Sequence, residues 1–549
     1  MRRDRQRLML LFCLSATLCA AINSRLIAQG YICAEGGGNP ANGSWAPSVF
    51  AWMAARGNFG DVVILGLSGS DAAATNAFTT AGVASVTNVN VTALNADNAS
   101  VAQVIANADI VWIRGGDQSN YVNLWNGTLA EQAIRDVYDA GGVVGGTSAG
   151  CAVLGSIIYD ANVGSLTPRQ ALQNPFHPFL TFTTDFLELT NGVLFDTHFT
   201  ERGRFGRLAV MAARAMQDID PGVLAVGVDD RTALCISPDG TAEVRGEGAV
   251  TLLWADEMTW ARLVPGQPPT VGALRHDQYT EGYRIDLATR AVLDRPANAD
   301  LVSAPAVAPS FSPGITLEGT VLSDRSFGDA WVDDDGNDFA LFDGALTVEP
   351  GADRLLRTIV STKVWNSTAF DENRSGGPQW AISEDPHQLA VYLDDFVQVT
   401  TSTATRLVSD GPTIGSETAV VLLDTWGMTS RAQSTYLSSP TFSVGPRQSV
   451  ALEDCRLHVM RTGQAFDASA HTLIDRPCAA DCVPDNGDGT FGNGVVNVDD
   501  LLRVINTFGG PDAASDVEPT NANGTVGNGV VNIDDMLGVI NAFGPCDDG

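Results

Sequence analysis

Gly142-Val-Val-Gly-Gly-Thr-Ser-Ala-Gly-Cys-Ala-Val-Leu154 is the stretch on which the fold turns. Its head, Gly142–Gly145, is a short apolar strand, and its tail, Ala149–Leu154, is a run of small residues able to open a helix. Between them Gly146-Thr-Ser-Ala-Gly150 has the form G-x-S-x-G. On a strand–turn–helix that string bends the chain sharply and leaves the serine hydroxyl, here Ser148, exposed. The N–H of Ala149, at the helix N-terminus, then faces a developing oxyanion.

The same alternation recurs upstream. Tyr31–Ala34, Asp61–Leu67 and Ile110–Ile113 read as strands, and Pro47–Arg56, Ser100–Ala108 and Thr128–Ala140 as helices. The pattern predicts an α/β domain over residues 29–313, a parallel sheet flanked by helices. In such sheets ligands bind beyond the carboxyl ends of the strands. The glycine turns Gly36–Gly38, Gly115–Gly116 and Gly145–Gly146 fall there, so Gly115 or Gly116 is a candidate second oxyanion donor.

A serine at its ordinary pKa needs a base. Of six histidines, His198 stands out, within Phe195-Asp-Thr-His-Phe-Thr-Glu-Arg-Gly-Arg-Phe-Gly-Arg-Leu208. Arg202, Arg204 and Arg207 follow it, beside Asp196 and Glu201. Arginines near a serine nucleophile clamp a carboxylate or select an acidic side chain. The competing description is an amphipathic helix whose arginines pair with an acidic surface, with a structural histidine.

Four stretches occur together: Ile113-Arg-Gly-Gly-Asp-Gln118, the elbow Gly146–Gly150, the run Asp196–Leu208 and Val226-Gly-Val-Asp-Asp-Arg-Thr-Ala233. In this order they resemble the motifs of cyanophycinases, over roughly residues 30–310. Those are serine peptidases related to aspartyl dipeptidase E, with a fold similar to class I glutamine amidotransferases. The resemblance implies Ser148 as nucleophile, His198 as base and Asp230 as the acid that orients it. The family usually has Glu at that last place, so Asp229 and Asp196 compete for the role. It also implies a substrate pocket of Gln118, Asp196, Arg202, Arg204 and Arg207, with Thr197 where Gln is common.

The implied reaction is hydrolysis of cyanophycin, a polyaspartate bearing arginine on each side-chain carboxyl, to β-Asp-Arg dipeptides. It proceeds through an acyl-enzyme on Ser148 and needs no cofactor. Two alternatives stay open: a peptidase of small aspartyl or isoaspartyl peptides, and a non-catalytic exported binding protein. An ordinary α/β-hydrolase lacks a convincing late acid–His pair here. A glutamine amidotransferase would need Cys at position 148.

The chain's ends carry other signals. Arg2, Arg3, Arg5 and Arg7 precede the apolar run Leu8–Ala21, which predicts a signal peptide over residues 1–28 and a secreted or extracytoplasmic protein. The run is too short to span a membrane, and no other anchor is visible. Of nine cysteines, Cys455, Cys478, Cys482 and Cys546 are the expected disulfide set. Residues 314–475, with short runs rich in Val, Thr and Leu, read as a mostly β domain without assignable chemistry.

Residues 481–546 hold a duplication. Gly487-Asp-Gly-Thr-Phe-Gly-Asn-Gly-Val-Val-Asn-Val-Asp-Asp-Leu501 returns as Ala522-Asn-Gly-Thr-Val-Gly-Asn-Gly-Val-Val-Asn-Ile-Asp-Asp-Met536. Oxygen-bearing side chains along a glycine-rich loop suit calcium. The candidate ligands are Asp485, Asp488, Asn493, Asn497 and Asp500, then Asn523, Asn528, Asn532 and Asp535. The alternative is a pair of Asx turns capping two helices. The units resemble dockerin repeats, which implies a small α-helical calcium module and a docking partner. Thr520 and Asn523 stand where the first loop has Asp485 and Asp488, so the second site is expected to be weaker.

Composition sets the outer limits. With 64 acidic against 32 basic residues the formal charge is −32, the wrong sign for a nucleic-acid partner. A hydrophobic content of 44% excludes wholesale disorder.

Overall fold

The computed structural model describes residues 30–41, 44–303, 309–318, 355–361, 364–365, 376–394, 397–412, 418–437 and 446–474. In the C-terminal region it describes 480, 482–483, 495–512, 514–518, 526–542 and 544–545. The expected signal peptide, 1–28, lies outside these residues. Among those described, no helix is long and apolar enough to cross a membrane.

Strands β1 (Tyr31–Glu35), β2 (Asp61–Gly66), β3 (Ser85–Asn90), β4 (Ile110–Ile113) and β5 (Val143–Thr147) pair in parallel, in the order β3-β2-β4-β5-β1. Helices Ala46–Arg56, Ala72–Ala81, Ala99–Ala106 and Leu129–Asp139 lie in the connections, as parallel crossovers require. Alternation along each strand splits the side chains between two layers. Cys33, Ile64 and Trp112 pack with Phe50, Met53 and Phe78 of the first two helices. Ile32, Leu65 and Val111 pack on the other face with Ile105, Ile134 and Val137.

The sheet is not parallel throughout. Beyond β1 it continues antiparallel through Thr232–Ile236, Thr241–Gly246, Arg284–Asp286 and Val292–Asp294, nine strands in all. Only residues 237–240 link the first two of these strands, far too short a segment for a crossover, so the chain must reverse. The expected helix after the elbow is also shorter, a single turn at Ala149–Ala152. Gly155–Tyr159, with its paired isoleucines, favours a strand and starts a second sheet.

That second, thirteen-stranded sheet crosses the boundary read at 313–314. Gly155–Tyr159, Thr190–Thr197 and Leu224–Val228 pair in parallel. Ala249–Trp254, Thr270–Thr280, Pro446–Met460, Val420–Asp424 and Leu389–Tyr392 continue it antiparallel. Leu274, Leu452, Leu457, Ile382 and Trp365 share one core with Leu208 and Met211 of helix Phe205–Asp218. The residues after 313 are mostly β, as expected: besides these strands they build a separate five-stranded sheet of Thr316–Glu318, Val397–Thr401, Arg406–Pro412, Ala465–Asp467 and Thr472–Ile474.

Cys455 is a buried thiol inside this sheet and not part of a disulfide, because strand pairing seals it in the core. Cys478 and Cys546 lie outside the described residues. Near the C-terminus, helices Val498–Thr507 and Ile533–Asn541 begin at the reciprocal caps Asn497/Asp500 and Asn532/Asp535. Asp500 accepts N–H bonds from Cys482, Val483 and Asn497, and Asp535 from Val517, Glu518 and Asn532. Asn528 accepts from the Val530 N–H. These oxygens cap the two helices and brace the loop turns before them. Among the described residues no group of acids, histidines or cysteines gathers to hold a metal. Asp485, Asp488, Asn493 and Asn523 lie outside them.

Candidate active site

The elbow forms where β5 ends beside β1, with Thr147 opposite Glu35. The next residue, Ser148, sits at φ 53° and ψ −117°, a conformation costly for any residue with a Cβ. Its N–H is fixed by the Glu35 carbonyl at 3.1 Å. The glycine after it is a steric necessity. A Cβ on Gly150 would stand 2.1 Å from the Ile113 carbonyl oxygen of β4.

The base and acid come from the second sheet. Thr190–Thr197 and Leu224–Val228 are parallel neighbours, and Thr197 pairs with Val228. His198 leaves the first strand at φ 46°, and Asp230 lies two residues beyond the second. Ser148 Oγ is 2.7 Å from His198 Nε2, and His198 Nδ1 is 2.5 Å from Asp230 Oδ1. Burial alone would raise the Asp230 carboxyl, but His198, Arg202 and Arg231 together hold it below the usual carboxylate range.

Neither competitor reaches the imidazole. Asp229 is turned away, accepting from the N–H groups of Thr200 and Ala249 at 2.9 Å each. Burial pushes it up to about 6. Asp196 is taken by arginines: Arg207 Nε and Nη2 donate at 2.8 and 2.5 Å, and Arg204 Nη1 at 3.2 Å.

The expected pocket thus assembles with a division of labour. Arg207 is committed structurally, its remaining Nη1 donating to the Leu166 carbonyl. Arg204 shares Asp196 and also donates to the Thr197 carbonyl. Two buried guanidiniums therefore face one carboxylate, which leaves one positive charge in excess. Burial and the neighbouring Arg207 charge both push Arg204 down from its ordinary value. Gln118, at the start of helix Gln118–Trp125, donates to the Tyr159 carbonyl at 3.2 Å. Arg202 is half-buried, its N–H donating to the His198 carbonyl.

The oxyanion candidates lie around Ser148. A Cβ on Gly115 would be 3.3 Å from Ser148 Cβ, and Gly116 follows it at φ 155°. Ala149 occupies the first position of its helical turn, where N–H groups have no intrahelical acceptor. A carbonyl held here would meet a nucleophile, its base and backbone donors at once, the requirement for acyl transfer.

Two neighbours were missed from sequence, and a third, Glu201, was named only as part of the run. Tyr159 packs its ring 5.2 Å from the Arg207 guanidinium, joining Gln118 to the arginine cluster. Glu35 and Glu201 are buried acids whose carboxyls burial pushes well up, with Asp230's charge adding to it. Glu35 closes a β-strand and Glu201 sits among polar neighbours, so neither carries a pattern that announces burial.

Residues 71–244 match Peptidase family S51, a span that includes Ser148, His198 and Asp230. Cyanophycinase of Trichormus variabilis is 30% identical over 187 residues, which is 33% of this chain and 58% of that protein. Cyanophycinase of Synechococcus elongatus is 30% identical over 186 residues, 33% of this chain and 54% of that protein. The chain thus spans little more than half the length of the curated relatives it matches. The crystal structure of a peptidase from an acI-B1 Actinobacterium aligns at 17% identity over 48% of this chain and 98% of that one, with a TM-score of 0.34. Over residues 71–244, then, the chain is similar to peptidase family S51, and that match together with the cyanophycinase relatives supports a serine-type peptidase.

Proposed function

We propose that the chain hydrolyses cyanophycin to β-Asp-Arg dipeptides through an acyl-enzyme on Ser148, outside the cytoplasm. The observation that carries the reading is the unbroken hydrogen-bond line from Ser148 through His198 to Asp230, set beside an arginine pair with one charge to spare. His198 Nε2 takes the serine proton as Oγ attacks the scissile carbonyl, and Asp230 steadies the imidazolium that forms. The N–H of Ala149, with that of Gly115 or Gly116, receives the oxyanion. His198 then gives its proton to the leaving amine, and water repeats the sequence on the acyl-enzyme. Arg204 supplies the charge that would hold an aspartyl carboxylate. The acidic exterior, at −32, favours a polymer studded with guanidinium groups.

The test is to incubate the purified protein and Ser148→Ala with insoluble cyanophycin and with Asp-X dipeptides, identifying products by mass spectrometry. Serine-dependent release of β-Asp-Arg is expected. Cleavage of dipeptides with the polymer untouched would replace this reading with the small-peptide one. No product from folded protein would return the binding-protein reading.

A further inference from the structure

A cleft of about 410 Å³ opens in the second sheet, lined by Arg275, Asp424, Trp426, Gly427, Asp454, Arg456 and His471, none of them part of the Ser148 site. Beside it runs a row of residues in direct register across four strands. Asp424 lies opposite Arg456, Arg456 opposite Arg275, and Arg275 opposite Trp254. Two arginines facing each other on adjacent strands destabilise a sheet unless something offsets them. Here each guanidinium is held by its own carboxylate, and the imidazole is bonded to a third. Arg275 meets Asp454 at 2.5 Å, Arg456 meets Asp256 at 2.8 Å, and His471 Nδ1 meets Asp424 at 2.9 Å. Trp426 and His471 stack, with centroids 5.1 Å apart and planes 13° from parallel, and give the cleft a flat aromatic wall. Asp454 and His471 both adopt positive φ, 64° and 55°, a backbone cost that clusters at ligand sites.

We infer that this cleft binds a neutral saccharide. The charges are paired within the protein, so an anion would meet Asp454, whose side chain is 40% exposed, and a cation would meet Arg275. What the cleft offers is donors and acceptors side by side. A hydroxyl group both donates and accepts, so a polyol satisfies such an array without bringing charge. The aromatic wall accepts the C–H face of a sugar ring, and the volume falls in the range of small-ligand sites. The β region thereby gains a role separate from hydrolysis, holding the protein on a glycan surface.

The test is native gel electrophoresis of the full chain through gels cast with laminarin, hydroxyethylcellulose, xylan or glucomannan. Gels without polysaccharide and gels with anionic polygalacturonate serve as controls. Retardation by at least one neutral polysaccharide is expected. Trp426→Ala, removing the stacking face, weakens that binding about tenfold, with the melting temperature and Ser148-dependent hydrolysis unchanged. His471→Gln runs in parallel, so that a folding failure in one variant does not decide the matter. Absence of retardation in every neutral gel, equal retardation of all folded variants, or retention by polygalacturonate alone would each overturn the inference.

Discussion

Gly37 lies against His198 so closely that a Cβ on the glycine would stand 2.3 Å from the imidazole Cε1 and 2.2 Å from Asp230 Oδ1. The turn after β1 therefore forms a lid over the base and its acid, and its backbone is stitched to His198 and to Arg231, the residue after the acid. The Gly36 carbonyl accepts from the His198 N–H at 3.0 Å, and the Gly37 carbonyl from the Arg231 N–H at 2.6 Å. Gly37→Ala must displace the imidazole. We expect kcat to fall about 100-fold or more, as misplacement by an ångström does, while the circular dichroism spectrum keeps its wild-type form.

Asp230→Asn separates the acid from its competitors. Loss of the charge that orients His198 is expected to lower kcat by roughly 10³–10⁴. Asp229→Asn leaves the imidazole's partner intact and disturbs the bonds from Thr200 and Ala249, costing about 1–3 kcal/mol of stability with kcat near wild type. Steady-state kinetics and urea denaturation of the two variants distinguish these outcomes. Equal losses of kcat in both would reverse the assignment.

The two pocket arginines should fail differently. Arg207→Met strips the buried Asp196 of its bidentate partner, leaving only the longer Arg204 contact, and is expected to destabilise by about 3–5 kcal/mol. Arg204→Gln leaves the Arg207–Asp196 pair standing and removes the surplus charge. Its expected signature is a KM about 10- to 100-fold higher for substrates with a free aspartyl carboxylate, at little changed kcat.

Glu35 predicts a pH effect of definite sign. Burial raises its folded-state pKa above the unfolded value of 4.5. A raised pKa stabilises the fold below the unfolded value, and that contribution drains away as pH climbs towards the folded one. In that window the wild type should lose about 1.4 kcal/mol per pH unit relative to Glu35→Gln, which keeps an acceptor for the Gly37 N–H. Denaturation of both proteins between pH 5 and 8 measures the slope. A constant difference across the range would mean that Glu35 ionises freely in the fold.

Much of the site was legible because its chemistry is local. The strand, the elbow and the helix N-terminus occupy consecutive residues, and the Asp196–Arg207 run carries its histidine and arginines within one segment. The acid was legible only through the resemblance, because choosing Asp230 over Asp229 from the residues themselves depends on which way the chain turns after strand Leu224–Val228, a matter of tertiary packing. Arg207 read as a substrate clamp because a sequence shows its charge but not that Asp196 already occupies it. The second sheet was missed for a related reason. Thr270–Thr280 and Pro446–Met460 are joined by no local signal, and the shift in composition between them hides their pairing.

That pairing also sets a schedule for folding. Arg275 waits for Arg456, which at ribosomal speed leaves the ribosome roughly ten to forty seconds later. During that interval the peptidase half presents an unpartnered strand edge of eleven residues, an invitation to aggregate. A nascent chain cut short at residue 313 would keep that edge for good. The enzyme's soluble production thus depends on residues that never touch its nucleophile.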